Sequence, residues 1–310
     1  MRFYDEVLER SQDLVHAGIW AAIHPARLRT WLNNFTSDEE KYFCACVLDN
    51  LIYRSEDQTS ALATQVFQRA LPDVARLHPT PLGMVDDWLA MFCGASDPGA
   101  RIVPVLKPGD MAGKSGDVIA RLLRRGFRVH PGAVIQPNQC STASAQGIST
   151  FIFVDDFLGT GNQFRETIIA SGLEPLLSSA YCIYAPFAAH VKGIEFLSVL
   201  YPNLHLCPGE VIDWSHSIFH AECPAFSDGM NSVPEALAFY HELLEKRGLC
   251  NAALQSTSSI PVDPALIPWG SRTGYGDLGL AYAFSHAVPD NCLPILWWSR
   301  GRNWNPLFNR

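Results

Sequence analysis

Four apolar residues, Phe151 to Val154, run directly into two acids, Asp155 and Asp156, and the chain then turns through Gly159-Thr160-Gly161 toward Asn162. A chain with that order has few ways to fold. The apolar run has the length and composition of a strand buried on both faces, and the residues from Asn162 to Ser171 read as a helix stopped by Gly172. Strand, tight turn and helix are the repeating step of an α/β sheet, and ligands of open α/β sheets bind at the C-terminal edge of the strands. The two carboxylates are therefore expected at the open end of a central strand, outside the core. The small turn lets backbone amides close on a phosphate, with the helix dipole adding attraction for negative charge. Two acceptors beside an anion cradle suit a ribose phosphate.

The surrounding chain carries the same rhythm. Ile102 to Leu106 reads as a strand, Lys107 to Lys114 as a loop, Ser115 to Arg125 as a helix, Ser179 to Tyr184 as a strand and Ala188 to Leu200 as a helix. This predicts a mostly parallel sheet flanked by helices. Gln136 to Gly147, rich in Gln, Ser, Asn and Ala, is expected to be a mobile loop. The first ninety or so residues read differently, with helical runs over Phe3 to Trp20 and Pro25 to Phe35. Two capping boxes follow, Ser37-x-x-Glu40 opening a run to about Tyr53 and Ser55-x-x-Gln58 opening one to about Leu71. The prolines at 72, 79 and 81 then break the pattern. A small helical domain of helix-turn-helix or winged-helix type is expected over 1–95, with the α/β domain over 96–310.

Here the sequence resembles the phosphoribosyltransferase family, whose signature is a hydrophobic strand, two acids and a small-residue loop ending Thr-Gly, matched from Phe151 to Gln163. The resemblance implies that Asp155 and Asp156 bind ribose hydroxyls and that Gly159, Thr160, Gly161 and Asn162 bind the 5′-phosphate of phosphoribosyl pyrophosphate. It also implies Mg2+ carried on the ligand's pyrophosphate rather than by assigned protein ligands. Gly159 stands where many members have Thr or Ala. The family's pyrophosphate loop follows an earlier strand, a place taken here by Lys107 to Gly116, which ends Lys114-Ser115-Gly116.

A competing motif is Gly109-Asp-Met-Ala-Gly113-Lys114-Ser115, which looks like a nucleoside-triphosphate P-loop, but it has three residues between its glycines where the P-loop needs four. His216 and His220 have a helical metal-binding spacing, yet no Glu follows the first as zinc proteases require. No Gly-x-Ser-x-Gly elbow is present. Trp297, Trp298 and Trp304 have a stacking role open to them, but core packing is the simpler reading. The formal charge of −8 opposes non-specific binding of nucleic acid, since phosphate neutralisation needs clustered Lys and Arg. Nine cysteines without a Cys-x-x-Cys pair fit reduced, mostly buried thiols. The apolar runs are too short for a membrane helix and the N-terminus is unlike a signal peptide, so a cytoplasmic protein without membrane contact is expected.

The C-terminal stretches Gly274-Tyr-Gly-Asp277, Phe284 to Trp297 and Trp304 to Phe308 look like a subfamily of phosphoribosyltransferase-like effectors of bacterial conflict systems. Retron-associated members carry a winged-helix-like segment ahead of the transferase domain, a layout that the helical residues 1–90 match. That resemblance implies an anti-phage effector with protein or ribonucleoprotein partners. Three function classes stay open: a transferase or nucleotide-cleaving enzyme, a catalytically inactive nucleotide sensor whose N-terminal helices bind a partner or nucleic acid, and a P-loop nucleotidase.

Overall fold

The computed structural model describes residues 2–78, 80–94, 97–107, 115–226, 231–250, 265–301 and 303–309. Its first half holds α1 (Arg2–His16), α2 (Pro25–Leu32), α3 (Asp38–Asp49), β1 (Ile52–Arg54), α4 (Glu56–Gln65), α5 (Leu71–Leu77), α6 (Trp88–Cys93), β2 (Ala100–Pro104), α7 (Ser115–Gly126) and α8 (Cys140–Ala145). There follow β3 (Thr150–Leu158), α9 (Asn162–Ala170), α10 (Glu174–Ser179), β4 (Tyr181–His190), α11 (Val191–Leu200), β5 (Leu204–Leu206), β6 (Glu210–Ile212), α12 (Val233–Lys246) and β7 (Tyr282–Phe284). Among the described residues no helix is long and apolar enough to cross a membrane.

Contacts group the chain into one unit of Met1–Glu56 with Asp213–Arg310 and a second of Asp57–Ile212, rather than dividing it near residue 95. The reason is visible in the second unit. Its parallel sheet has the order β2-β3-β4-β5, with β6 also on β4, and both faces are apolar. On one face Ile102, Ile152, Val154, Ile183 and Phe187 pack against Val66, Phe67, Leu71, Trp88, Phe92, Ile119 and Leu123. Without α4 to α6 only α7 and the segment after it would cover that face, so these helices join the sheet they cover. The other face buries Val103, Phe151, Phe153 and Tyr184 beneath Cys140, Phe164, Ile168, Leu176 and Leu197. The helical run expected to stop at Leu71 continues to Leu77, because a π-turn over Val66–Ala70 places Pro72 in the first turn of a new helix, where a missing N–H costs nothing. Gln136 to Gly147 is likewise ordered: a Gln136/Gln139 capping box opens a 3₁₀ turn, and α8 follows with Cys140 and Ala143 buried.

In the other unit the N-terminal helices do form, and β1 pairs in parallel with β7, Ile52 opposite Tyr282. The predicted capping box at α3 is present: Ser37 Oγ accepts from the Glu40 N–H at 3.2 Å and the Glu40 carboxylate accepts from the Ser37 N–H at 3.4 Å. Glu40 is 2 % exposed and also accepts from Lys246 Nζ at 2.6 Å and from Arg247. Burial alone would raise its carboxyl, but hydrogen bonds from Lys246, Thr36 and Ser37 outweigh that and hold it at about 2. Phe43 on α3 packs with Phe219, Phe226, Phe239 and Tyr240. Trp31 and Trp304 both donate to the Ile295 carbonyl, and Trp298 donates to that of Ala265, so Trp298 and Trp304 are core residues with satisfied N–H groups. All the cysteines except Cys93 are buried thiols.

Candidate functional site

β3 is longer than its apolar run. Asp155 and Asp156 lie within the strand, which continues to Leu158 because β4 runs on beside it, Asp155 opposite Pro186 and Leu158 opposite Ala189. β2 ends at Pro104, and its last bond to β3 is from the Val105 N–H to the Val154 carbonyl. Both acids are buried, Asp155 at 1 % and Asp156 at 5 % exposure, rather than standing at an open strand end. Successive strand residues face opposite sides, so the two carboxylates do not point the same way. Asp155 is on the α9 side, where its carboxylate accepts from the Gln163 Nε2 at 3.1 Å and from the Asp156 N–H at 3.0 Å. Beneath them Tyr184 stacks on Phe164 at 4.4 Å. Burial raises the Tyr184 phenol well above its usual range, and the charges of Asp155 and Asp156 push it the same way, so it stays neutral.

The turn after β3 is shaped by glycine. Gly161, at φ +85, is the N-cap of α9, and a Cβ there would lie 2.7 Å from Phe196 and 3.0 Å from Leu197 of α11. Thr160 accepts from the Asn162 N–H through its hydroxyl at 3.4 Å, and both side chains are half-buried, while Gly159 is buried. α11 begins at the same sheet edge, capped by His190, whose Nδ1 accepts from the Lys192 N–H at 3.1 Å. One turn in, Gly193 lets α11 touch the loop: a Cβ there would meet the Gly159 carbonyl oxygen at 2.5 Å and Leu158 at 2.8 Å. On the other flank Gly116, in the first turn of α7, lies against the backbone of Val105, with an added Cβ 3.0 Å from its carbonyl oxygen. Lys107, just past β2, is ion-paired with Glu166 of α9.

The structure therefore gathers Asp155, Asp156, Gly159, Thr160, Gly161, Asn162 and Gly116 at one sheet edge where α7, α9 and α11 all begin. Lys114 lies outside the described residues, as does most of the loop that resembles a P-loop, and Ser115 opens α7. Gln163, His190 and Gly193 were not singled out by sequence reasoning; the signal for the last two was the step from a strand into His190-Val-Lys-Gly193, a second strand-to-helix turn at the same edge. His216 and His220 do not converge: His216 Nδ1 is 2.9 Å from Asp213, and the His220 ring stacks on Trp214. Among the described residues no three His, Cys, Asp or Glu side chains are grouped to hold a metal ion.

The sequence model of the family described as PRTase-CE matches residues 28–310. The chain belongs to the PRTase-CE family. No curated protein and no solved structure matches it. The match runs through both compact units, so α2, α3 and the C-terminal stretch belong to the family's common architecture, and the parallel sheet flanked by helices is its phosphoribosyltransferase-like part.

The contact between Gly193 and Gly159 yields a direct test. Gly193→Ala forces its methyl onto a backbone oxygen, and overpacking of this kind costs roughly 1–3 kcal/mol. The expected result is a lower thermal midpoint. Gly270→Ala, whose methyl would meet no atom of the described residues within 4 Å, is expected to leave the midpoint unchanged. Equal midpoints for the two variants would show that α11 does not brace the turn.

Proposed function

We propose that the second unit binds a ribose 5-phosphate-type ligand, phosphoribosyl pyrophosphate or a nucleotide, and acts as a transferase on it. The observation that carries this reading is the turn Gly159-Thr160-Gly161, backed by α11 through Gly193 and set directly after two buried acids at the edge where three helices begin. In this reading the loop amides and the α9 dipole hold the 5′-phosphate, with Thr160 and Asn162 closing on it. Asp156 accepts from a ribose hydroxyl, and Asp155 orients the start of α9 through Gln163 and adds its negative charge beside the sugar. Gly116 brings the start of α7 close to β2, where Lys114 and Ser115 would meet the pyrophosphate.

Among the described residues no three acidic or metal-ligating side chains are grouped, so the protein would leave most of the coordination shell of Mg2+ to the ligand's own phosphate oxygens and water, which is how that ion is commonly held beside phosphates. Such an ion would neutralise pyrophosphate charge. The resemblance of the C-terminal stretches extends the proposal to an anti-phage effector of retron type, with the N-terminal helices α1 to α3 as the segment for protein or ribonucleoprotein partners. Calorimetric titration with phosphoribosyl pyrophosphate and Mg2+, nucleoside monophosphates and ribose 5-phosphate tests the ligand class, and saturable binding is expected. Release of pyrophosphate on adding candidate acceptors separates a transferase from a sensor. No saturable binding of any of these ligands would sink the reading.

A further inference from the structure

A cavity of about 310 Å³ lies wholly within the unit formed by the two chain ends, away in sequence from β3 and its loop. We propose that this cavity is a ligand site for a small aromatic carboxylate. Its walls are the segment from Trp214 to His220, α12, and the loop from Arg272 to Gly279.

That loop is built rather than incidental. Gly274, Gly276 and Gly279 have φ of +86, +72 and +57, and Asp277 takes φ +57 although it is not glycine. An added Cβ at Gly274 would overlap the Asn291 carbonyl, so no other residue fits there. The loop is pinned by Tyr275, whose N–H donates to the Asp290 carbonyl at 2.7 Å and whose carbonyl accepts from Asn291 at 2.8 Å, and by Thr273, whose hydroxyl donates to Asp277 at 2.8 Å. Left-handed backbone at a non-glycine residue persists only where the surroundings over-determine it, and such sites cluster where ligands bind.

Three features of the lining define the ligand. Arg272 is 4 % exposed, has one guanidinium nitrogen 3.9 Å from the Glu245 carboxylate, and brings a planar fork that also matches a ligand carboxylate. Its field reaches the cavity wall: burial and then Arg272 lower His241 from its ordinary value against an opposing pull from Glu245, leaving that ring neutral at pH 7. Ser217 is 3 % exposed and its hydroxyl has no hydrogen-bond partner among the described residues, an unusual state for a buried donor and one a bound acceptor would relieve. The rings of Trp214 and His220 stack at 5.1 Å and 26°, giving a flat aromatic surface. A guanidinium, a hydroxyl and a flat wall together suit a planar ring that carries an anion. The volume is at the small end for ligand sites and admits one ring system with its acidic group. The exposed Asp277 carboxylate on the lining repels added negative charge, which favours a carboxylate monoanion over a phosphate dianion.

The test is calorimetric titration of the full chain with benzoate, anthranilate and indole-3-carboxylate, beside AMP, GMP and inorganic phosphate. Saturable binding of at least one aromatic carboxylate is expected. Arg272→Met is expected to weaken it at least about tenfold, as loss of a charge-assisted pair does. Ser217→Ala is expected to weaken it several-fold while leaving the unliganded thermal midpoint unchanged or higher, because no existing bond is lost. The combined Asp155→Asn and Asp156→Asn variant is expected to bind as wild type, which keeps this site independent of the ribose-phosphate reading. If Arg272→Met fails to fold, Ser217→Ala decides. No saturable binding of any aromatic carboxylate, binding confined to the phosphates, or binding unchanged in Ser217→Ala would each overturn the proposal.

Discussion

A chain carrying Asp155→Asn and Asp156→Asn is expected to bind a ribose 5-phosphate ligand at least tenfold more weakly than wild type. Hydrogen bonds to a charged acceptor are worth roughly 1.5–3 kcal/mol, and the replacement keeps size while removing both charges. The single variants separate two roles. Asp155 already accepts from Gln163 and from the Asp156 N–H, so an amide in its place turns one acceptor into a donor that faces another donor. Asp155→Asn is therefore expected to cost roughly 1–3 kcal/mol of stability in addition to affinity. Asp156→Asn is expected to weaken binding of the sugar. Titration with ribose 5-phosphate and with inorganic phosphate distinguishes the sugar contact from the phosphate cradle, since only the former should be lost in Asp156→Asn. Undiminished affinity for the sugar phosphate in the well-folded double variant would mean that the motif is only a strand.

Glu40→Gln is expected to remove about 3 kcal/mol of stability from the unit built by the chain ends. Breaking a buried ion pair costs roughly 3–5 kcal/mol, and the low end applies because Lys246 is 60 % exposed although Arg247 is only 21 % exposed. Titration leads to a similar figure. The carboxyl is held at about 2 when folded, against roughly 4.3 in an unfolded chain, and each unit of that interval is worth about 1.4 kcal/mol. Because the folded value is the lower one, the stabilisation is complete above the unfolded value and is lost as pH falls toward about 2. Wild type should therefore lose stability across that window with a steeper slope than Glu40→Gln. Urea unfolding followed by tryptophan fluorescence reads this unit selectively, since every tryptophan except Trp88 belongs to it. Coincident urea midpoints at pH 7 would contradict the assignment.

Much of this was legible in the residues. The step from Phe151 to Asn162 specified a buried strand, a turn and a helix, and β3, Gly161 and α9 follow it. The capping box at Ser37 specified where α3 begins. What local patterns could not carry was the length of β3 and β4, which is set by pairing with each other: Asp155, Pro186 and Ala188 look unlike strand interiors until a partner satisfies their backbone. Nor could they carry the affiliation of α4 to α6, whose apolar faces would suit a separate bundle as well as the sheet they cover. Gln163 and Gly193 matter to the site through contacts made across the sheet edge, and such contacts leave no periodic trace in sequence.

The order in which the chain is synthesised meets an interruption in the first unit. β1 at Ile52–Arg54 pairs with β7 at Tyr282–Phe284, and the whole of Asp57–Ile212 is made between them. At typical synthesis rates of about 5–20 residues per second, β1 leaves the ribosome on the order of 10–50 s before its partner exists. The sheet-bearing unit, continuous in sequence, has all its strands well before that and is free to fold first. During the interval the apolar faces of α1 to α3 and the open edge of β1 lack the partners that later cover them, a state prone to wrong pairing. A chain cut short before Arg272 would therefore keep the sheet and the turn Gly159-Thr160-Gly161 while never completing the cavity that Arg272 lines, so translation itself sets the sequence in which the two become available.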